Sequence, residues 1–269
     1  MPLLDLLTFP FLQRAIIAGL ILGLLLACLG VYVTLKKMAF FGDGIAHASL
    51  AGIAIAILAG VTPMPVALVW SLLVAIFIFY LERKIKLSTD SLIGILFTAS
   101  MALGVVLMRF TPGYQPDLVS YLFGSILSIQ TFDLWITATL AAMILLWLFS
   151  SFRALTFLSL SEESAAVSGV KVWLHTLLLY ISLAIATVLA VKMLGIVLVS
   201  ALLIIPPAIG RILAQNFKQY FIFSIIAAEV TILAGLFFSL QFDLPSGASI
   251  VLTGTGLFCL ATIFKRKTV

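Results

Sequence analysis

Charge is scarce in this chain. Asp, Glu, Lys and Arg make up only 9% of its 269 residues, against about 25% in an ordinary soluble domain. Histidine and cysteine occur twice each. Cys28 and Cys259 lie in separate apolar stretches far apart in sequence. They read as small packing residues, which excludes a disulfide-held scaffold and a thiolate metal centre. No GxxxxGK[ST] phosphate loop is found, so the chain has no evident means of hydrolysing ATP itself and is not read as an enzyme. No polar stretch is long enough for a sizeable soluble domain.

Apolar residues fill the space instead. Hydrophobic residues reach 64% and the mean hydropathy is +1.31, which leaves room for roughly nine membrane spans of ~20 residues. Apolar stretches fall at residues 12–35, 39–60, 64–81, 90–109, 133–152, 172–191, 194–213, 219–240 and 246–264. A shorter piece, residues 118–129, suffices only for a half-helix or a re-entrant segment. The first stretch is too long for a signal-peptide core and lacks a small-residue cleavage site, so it counts as a span. The expected fold is all-α: one polytopic transmembrane domain over residues 1–269, with about nine helices (eight to ten), embedded in the lipid bilayer.

The pI of 9.3 does not point to nucleic acid, because the basic residues are scattered singly or in twos and threes. In a membrane chain they report orientation. With the N-terminus outside and nine crossings, the cytoplasmic side collects Lys36, Lys37, Arg83, Lys84, Lys86, Arg153, Lys171, Arg211, Lys218, Lys265, Arg266 and Lys267. Only Arg14, Arg109 and Lys192 fall outside. The outside turns, such as Gly60-Val-Thr-Pro-Met-Pro65 and Asp243-Leu-Pro-Ser-Gly247, are short and stiff. None could form a capture domain, so a substrate that needs capturing requires a separate protein. Trp70, Trp135, Trp147 and Trp173 read as interface anchors.

Against this background Asp43 and His47 stand out. They lie four residues apart in the otherwise apolar stretch 38–60, a spacing that puts both on one helix face. An ionisable residue inside a span is expensive and marks a functional site by default. Carboxylate oxygen and imidazole nitrogen are also the non-sulfur ligands that a first-row divalent metal accepts. The bland alternatives are a local ion pair, or Asp43 capping a helix that starts after Gly42. Gly44, Ala48 and Gly52 form a small-residue stripe that lets another helix approach closely. Two ligands are too few for a closed metal site, whereas a two-fold dimer would supply four.

Glu229 is the other acid within a span. It is a candidate pathway residue, or a hydrogen-bond partner of Thr231 or of a neighbouring helix. Asp90, Asp117, Asp133 and Asp243 fall at span ends, where solvated or capping roles are expected. His175, beside Lys171, reads as a non-ligand. Pro206-Pro207 interrupts a span and frees backbone groups that need partners, so the kink is expected to face the bundle interior. On the cytoplasmic side, Ser161 can cap a short helix with Glu162 and Glu163 in its first turn, and Gly169 stops it.

Taken together, four motifs resemble the membrane subunits of ABC-type zinc and manganese importers, and the zinc permeases in particular. They are Met38-Ala-Phe-Phe-Gly-Asp-Gly-Ile-Ala-His-Ala-Ser49, Asp117-Leu-Val-Ser-Tyr-Leu-Phe-Gly124, Val191-Lys-Met-Leu-Gly-Ile-Val-Leu-Val-Ser-Ala-Leu-Leu-Ile-Ile-Pro206 and Asp243-Leu-Pro-Ser-Gly-Ala248, in the family's order and over nearly the whole chain. Phe97 and Thr98 stand where the zinc type has an Ala-His pair, which leaves the metal open.

The resemblance implies a type II ABC importer fold in a bacterial cytoplasmic (inner) membrane. It implies a homodimer with two cytoplasmic ATP-binding subunits, supplied by an extracytoplasmic metal-binding protein. Asp43 and His47 would be the metal site, with zinc as cargo and manganese or iron as alternatives, and no permanently bound cofactor. The segment 162–169, with Glu162, Glu163, Ala165 and Gly169, would belong to a coupling helix docked on the ATPase. Two rivals remain: a proton-coupled secondary metal transporter using Glu229 and Asp43, and a non-transporting membrane scaffold.

Overall fold

A computed structural model describes residues 9–85, 87–110 and 129–266. Eleven helices and no strand occur among these residues. In chain order they are α1 Pro10–Leu35, α2 Phe41–Leu58, α3 Pro63–Lys84, α4 Thr89–Met108, α5 Thr131–Ser150, α6 Phe152–Leu160, α7 Glu162–Val167, α8 Val172–Leu194, α9 Ile196–Leu213, α10 Phe217–Phe242 and α11 Ser246–Arg266. All but α6 and α7 are long and apolar enough to cross a membrane, which gives nine candidate spans among the described residues. The expected half-helix at 118–129, but for its last residue, and the motif Asp117–Gly124 lie outside the described residues.

Helices dominate because a chain in lipid must satisfy its backbone groups within each segment. Local signals set the ends. Pro63 opens α3, where its missing N–H costs nothing. Ser88 caps α4 by accepting from the Ser91 amide at 3.2 Å. Gly195 alone joins α8 to α9 with φ 83° and ψ 161°, a backbone conformation that a side chain would forbid.

The chain divides into two compact units. One comprises Leu35–Val119 and Leu148–Leu189, and so holds α2, α3, α4, α6, α7 and most of α8. Within it α2 packs on both α3 and α4. Hydrophobicity does not drive helices together in lipid; close packing over small residues does. A Cβ at Gly52 would lie 2.7 Å from the Ala67 Cα of α3, and one at Gly104 of α4 would lie 3.2 Å from the Ala51 backbone nitrogen. The expected small-residue stripe therefore serves contacts within this chain.

The other unit comprises Met1–Thr34, Ser120–Trp147 and Ala190–Val269. Here α9, α10 and α11 pack against one another. Pro206 and Pro207 lie inside α9 without ending it, and both are buried. The Pro207 ring points at α1, where a Cβ on Gly30 would come within 2.8 Å of its Cγ. The inward facing expected of these prolines is present, and the helix is continuous through them. Cys28 is fully buried, whereas Cys259 is exposed and so is not a packing residue.

Candidate metal centre

Asp43 is the third residue of α2 and His47 the seventh. The helix starts at Phe41, and its N-cap residue Phe40 makes no side-chain cap. Asp43 is therefore a first-turn residue and not the cap that one alternative required. Asp90, in the first turn of α4, keeps a buried Oδ1 without a hydrogen-bond partner among the described residues.

A start at Phe41 puts the pair in the first two turns of α2 and not at its middle. The neighbouring helix shows why this does not leave it at a membrane surface. Tyr180 lies eight residues into α8, about 12 Å from its beginning, and its ring is 5.0 Å from that of Phe41. α2 thus begins well inside the length that α8 spans, and His47 lies about 9 Å further along α2.

The two side chains face each other, with His47 Nε2 3.6 Å from Asp43 Oδ1. The His47 side chain is 23% exposed and that of Asp43 42%, although the rest of this helix face is closed. The His47 ring leans on Phe97 of α4, with centroids 5.3 Å apart. Its Nδ1 is buried and has no hydrogen-bond partner among the described residues. Gly44 allows this arrangement: a Cβ there would collide with Ile93 Cγ2 of α4. The separation is one that an ion can bridge, since two ligands with bonds of ~2.1 Å lie about 3.4 Å apart on a tetrahedral ion. Among the described residues no group of three or more His, Cys, Asp and Glu could hold a metal.

Glu229 sits on α10 in the other unit. Its Oε2 is buried without a hydrogen-bond partner, and so is the Thr231 hydroxyl, so the two do not satisfy each other. The carboxylate faces Gly23 of α1, where a Cβ would lie 3.6 Å from Oε1. His175 has a local role, its Nδ1 lying 3.0 Å from the Lys171 carbonyl.

At α7 the local signals act as expected. Ser161 accepts from the Ser164 amide at 3.2 Å, Ala165 is buried, and Gly169 ends the turn with φ 80°. Glu163 and Val167 face outward. Glu162 instead pairs with Lys36, Nζ to Oε1 at 2.9 Å.

Three polar arrangements had no sequence signal. Lys192 donates to Asp133 at 2.6 Å. Tyr180 donates to Glu82 Oε2 at 2.7 Å, and Thr89 donates to the other oxygen of Glu82. Lys36–Glu162 is the third. In sequence Glu82 looks like one more charge beside Arg83 and Lys84, and a partner 98 residues away leaves no periodic trace.

The model of the ABC 3 transport family matches residues 8–265. The chain is 35% identical to the manganese transport system membrane protein MntC of Halalkalibacterium halodurans, covering 98% of this chain and 90% of that one. It is 34% identical to the high-affinity zinc uptake system membrane protein ZnuB of Haemophilus influenzae, covering 96% and 99%. Among solved structures it resembles PsaBC from Streptococcus pneumoniae, with TM-score 0.84 and 33% identity over 96% of this chain and 93% of that one.

Proposed function

Since the chain belongs to the ABC 3 transport family, we propose that two copies of it form the pathway of an ATP-driven zinc importer. As an ABC-type metal permease it is a multi-pass protein of the bacterial cytoplasmic membrane. Its single permease domain carries no ATP hydrolysis of its own. That reaction belongs to a separate cytoplasmic subunit, and an extracytoplasmic metal-binding protein delivers the ion.

One observation carries the site: Asp43 and His47 face each other at 3.6 Å with no third ligand beside them among the described residues. Two copies related by a two-fold axis complete the four ligands that tetrahedral zinc takes. One oxygen and one nitrogen ligand from each copy suit zinc, and they would also take manganese or ferrous iron as alternative cargo. A shell of oxygen and nitrogen without thiolate binds an ion loosely enough to release it. On the cytoplasmic side α7 docks on the ATPase, with Glu163 and the outward Val167 as its contacts, Ala165 as its anchor and Gly169 as its stop.

The test is uptake of zinc and of manganese into vesicles holding this chain, its ATPase and its binding protein. Zinc uptake requires ATP and is abolished by Asp43→Ala and by His47→Ala, while both variants still co-purify with the ATPase. Uptake at the wild-type rate in both variants would show that the pair is structural.

A further inference from the structure

We infer that the Lys36–Glu162 ion pair is the strut through which the ATPase-docking helix moves the metal-ligand helix. This rests on the proposed function, since it presupposes a docking role for α7 and a ligand role for Asp43 and His47. The pair is 126 residues apart in sequence and makes one hydrogen-bonded ion pair of 2.9 Å. Its two ends differ: the Lys36 side chain is only 11% exposed, and that of Glu162 is 57% exposed. Covering so much of a lysine costs desolvation, which a hydrogen-bonded counter-charge offsets. Glu162 supplies it from a helix end that is itself largely exposed.

Beyond Lys36 the chain forms a stiff connector. Five residues separate α1 from α2, and Lys37 among them adopts φ 57°, which a side chain tolerates poorly. Met38 is buried, its sulfur 3.2 Å from the Tyr180 hydroxyl. The Phe40 carbonyl accepts from the Gly44 amide at 2.8 Å, and Phe41 packs on Tyr180. Asp43 comes two residues later. A connector fixed at each end has few soft torsions to absorb a displacement, so a shift of α7 passes through Glu162 and Lys36 to the first turns of α2. Coupling of this kind needs a contiguous physical link, and α7, the pair, the connector and α2 provide one.

The roles of the two neighbouring acids therefore separate. Glu163 contacts the ATPase, whereas Glu162 transmits what that contact does. Both Lys36 and Glu162 are positioning residues, because neither touches the ion.

The experiment uses the complete transporter in vesicles and measures zinc uptake per ATP hydrolysed, with ATPase co-purification as a second readout. Lys36→Met is expected to retain co-purification while uptake per ATP falls about tenfold. Glu162→Gln is expected to lower it equally, and the double variant no further, because either change alone removes the strut. Lys36→Arg restores coupling, which loss of folding alone would not explain. If Lys36→Met does not accumulate in the membrane, Glu162→Gln at the exposed end carries the test. Wild-type uptake per ATP in Glu162→Gln would overturn the proposal, as would loss of co-purification in that variant, which would make Glu162 a docking contact. If the wild-type chain binds no ATPase, the functional reading itself fails, and that result is distinct from either.

Discussion

Gly30 of α1 lies against the carbonyl of Leu203 in α9, so close that a Cβ on Gly30 would strike the oxygen. That carbonyl is the acceptor that Pro207, four residues on, cannot serve, because proline has no N–H. A glycine lets the neighbouring backbone come near enough to shield it. The Cα–H of Gly30 offers a weak donor, and the Thr34 hydroxyl ties off the Gly30 carbonyl at 2.8 Å.

Gly30→Ala should therefore destabilise the protein, by about 1–3 kcal/mol of overpacking. Gly256→Ala, at a glycine with open space around it, should not. Thermal unfolding of the detergent-solubilised protein decides this, and equal midpoints for the two variants would remove the close-approach account.

Gly44 makes a similar contact at the candidate site. Gly44→Ala should push on Ile93, displace Phe97 from the His47 ring and lower zinc uptake. In a double-mutant cycle Ile93→Ala, which alone leaves a cavity, should cost less in the Gly44→Ala chain than in the wild type. Strictly additive stabilities would mean that the two residues do not press on each other.

The Glu82 carboxylate is satisfied from both sides by hydroxyls. Tyr180→Phe removes one donor and leaves a half-buried oxygen unpaired, at a cost of about 1–3 kcal/mol. Tyr80→Phe is the control, because Tyr80 is exposed and holds Lys84 against its ring face at 4.4 Å. The measurement is again the unfolding midpoint, and only Tyr180→Phe should lower it.

Glu229 presents an unsatisfied buried oxygen, the mark of a group kept for use at some expense of stability. Glu229→Gln is expected to raise the unfolding midpoint and to lower zinc uptake. Unchanged uptake would take Glu229 out of the pathway. Uptake that follows a proton gradient and ignores ATP would instead favour the secondary-transporter alternative, with Glu229 as its carboxylate.

Much of this architecture was legible along the chain. The nine spans came from hydropathy, and their ends came from Pro63, Ser88, Ser161 and Gly169, because these signals act within a turn or two of themselves. Asp43 and His47 were legible for the same reason: four residues on a helix is a local relationship. Their depth was not. The stretch 38–60 showed only that the pair lies within a span; that it sits in the first two turns of a helix which begins beside a residue well inside α8 came from packing. Glu162 and Glu163 were both read as part of a docking helix, and the pairing of Glu162 with Lys36, 126 residues away, was not legible because nothing local distinguishes two adjacent glutamates.

By itself, then, the sequence determined an all-helical multi-pass permease, its likeness to a metal-transporting family and the two side chains proposed to meet the ion. Burial of apolar segments and the period of a helix are written in neighbouring residues. Tertiary structure alone decided which charges find partners: Glu162 with Lys36, Asp133 with Lys192, Glu82 with Tyr180 and Thr89. Those choices depend on which helices pack together: the stripe of Gly44, Ala48 and Gly52 tells along the chain that a helix approaches closely, but not which one.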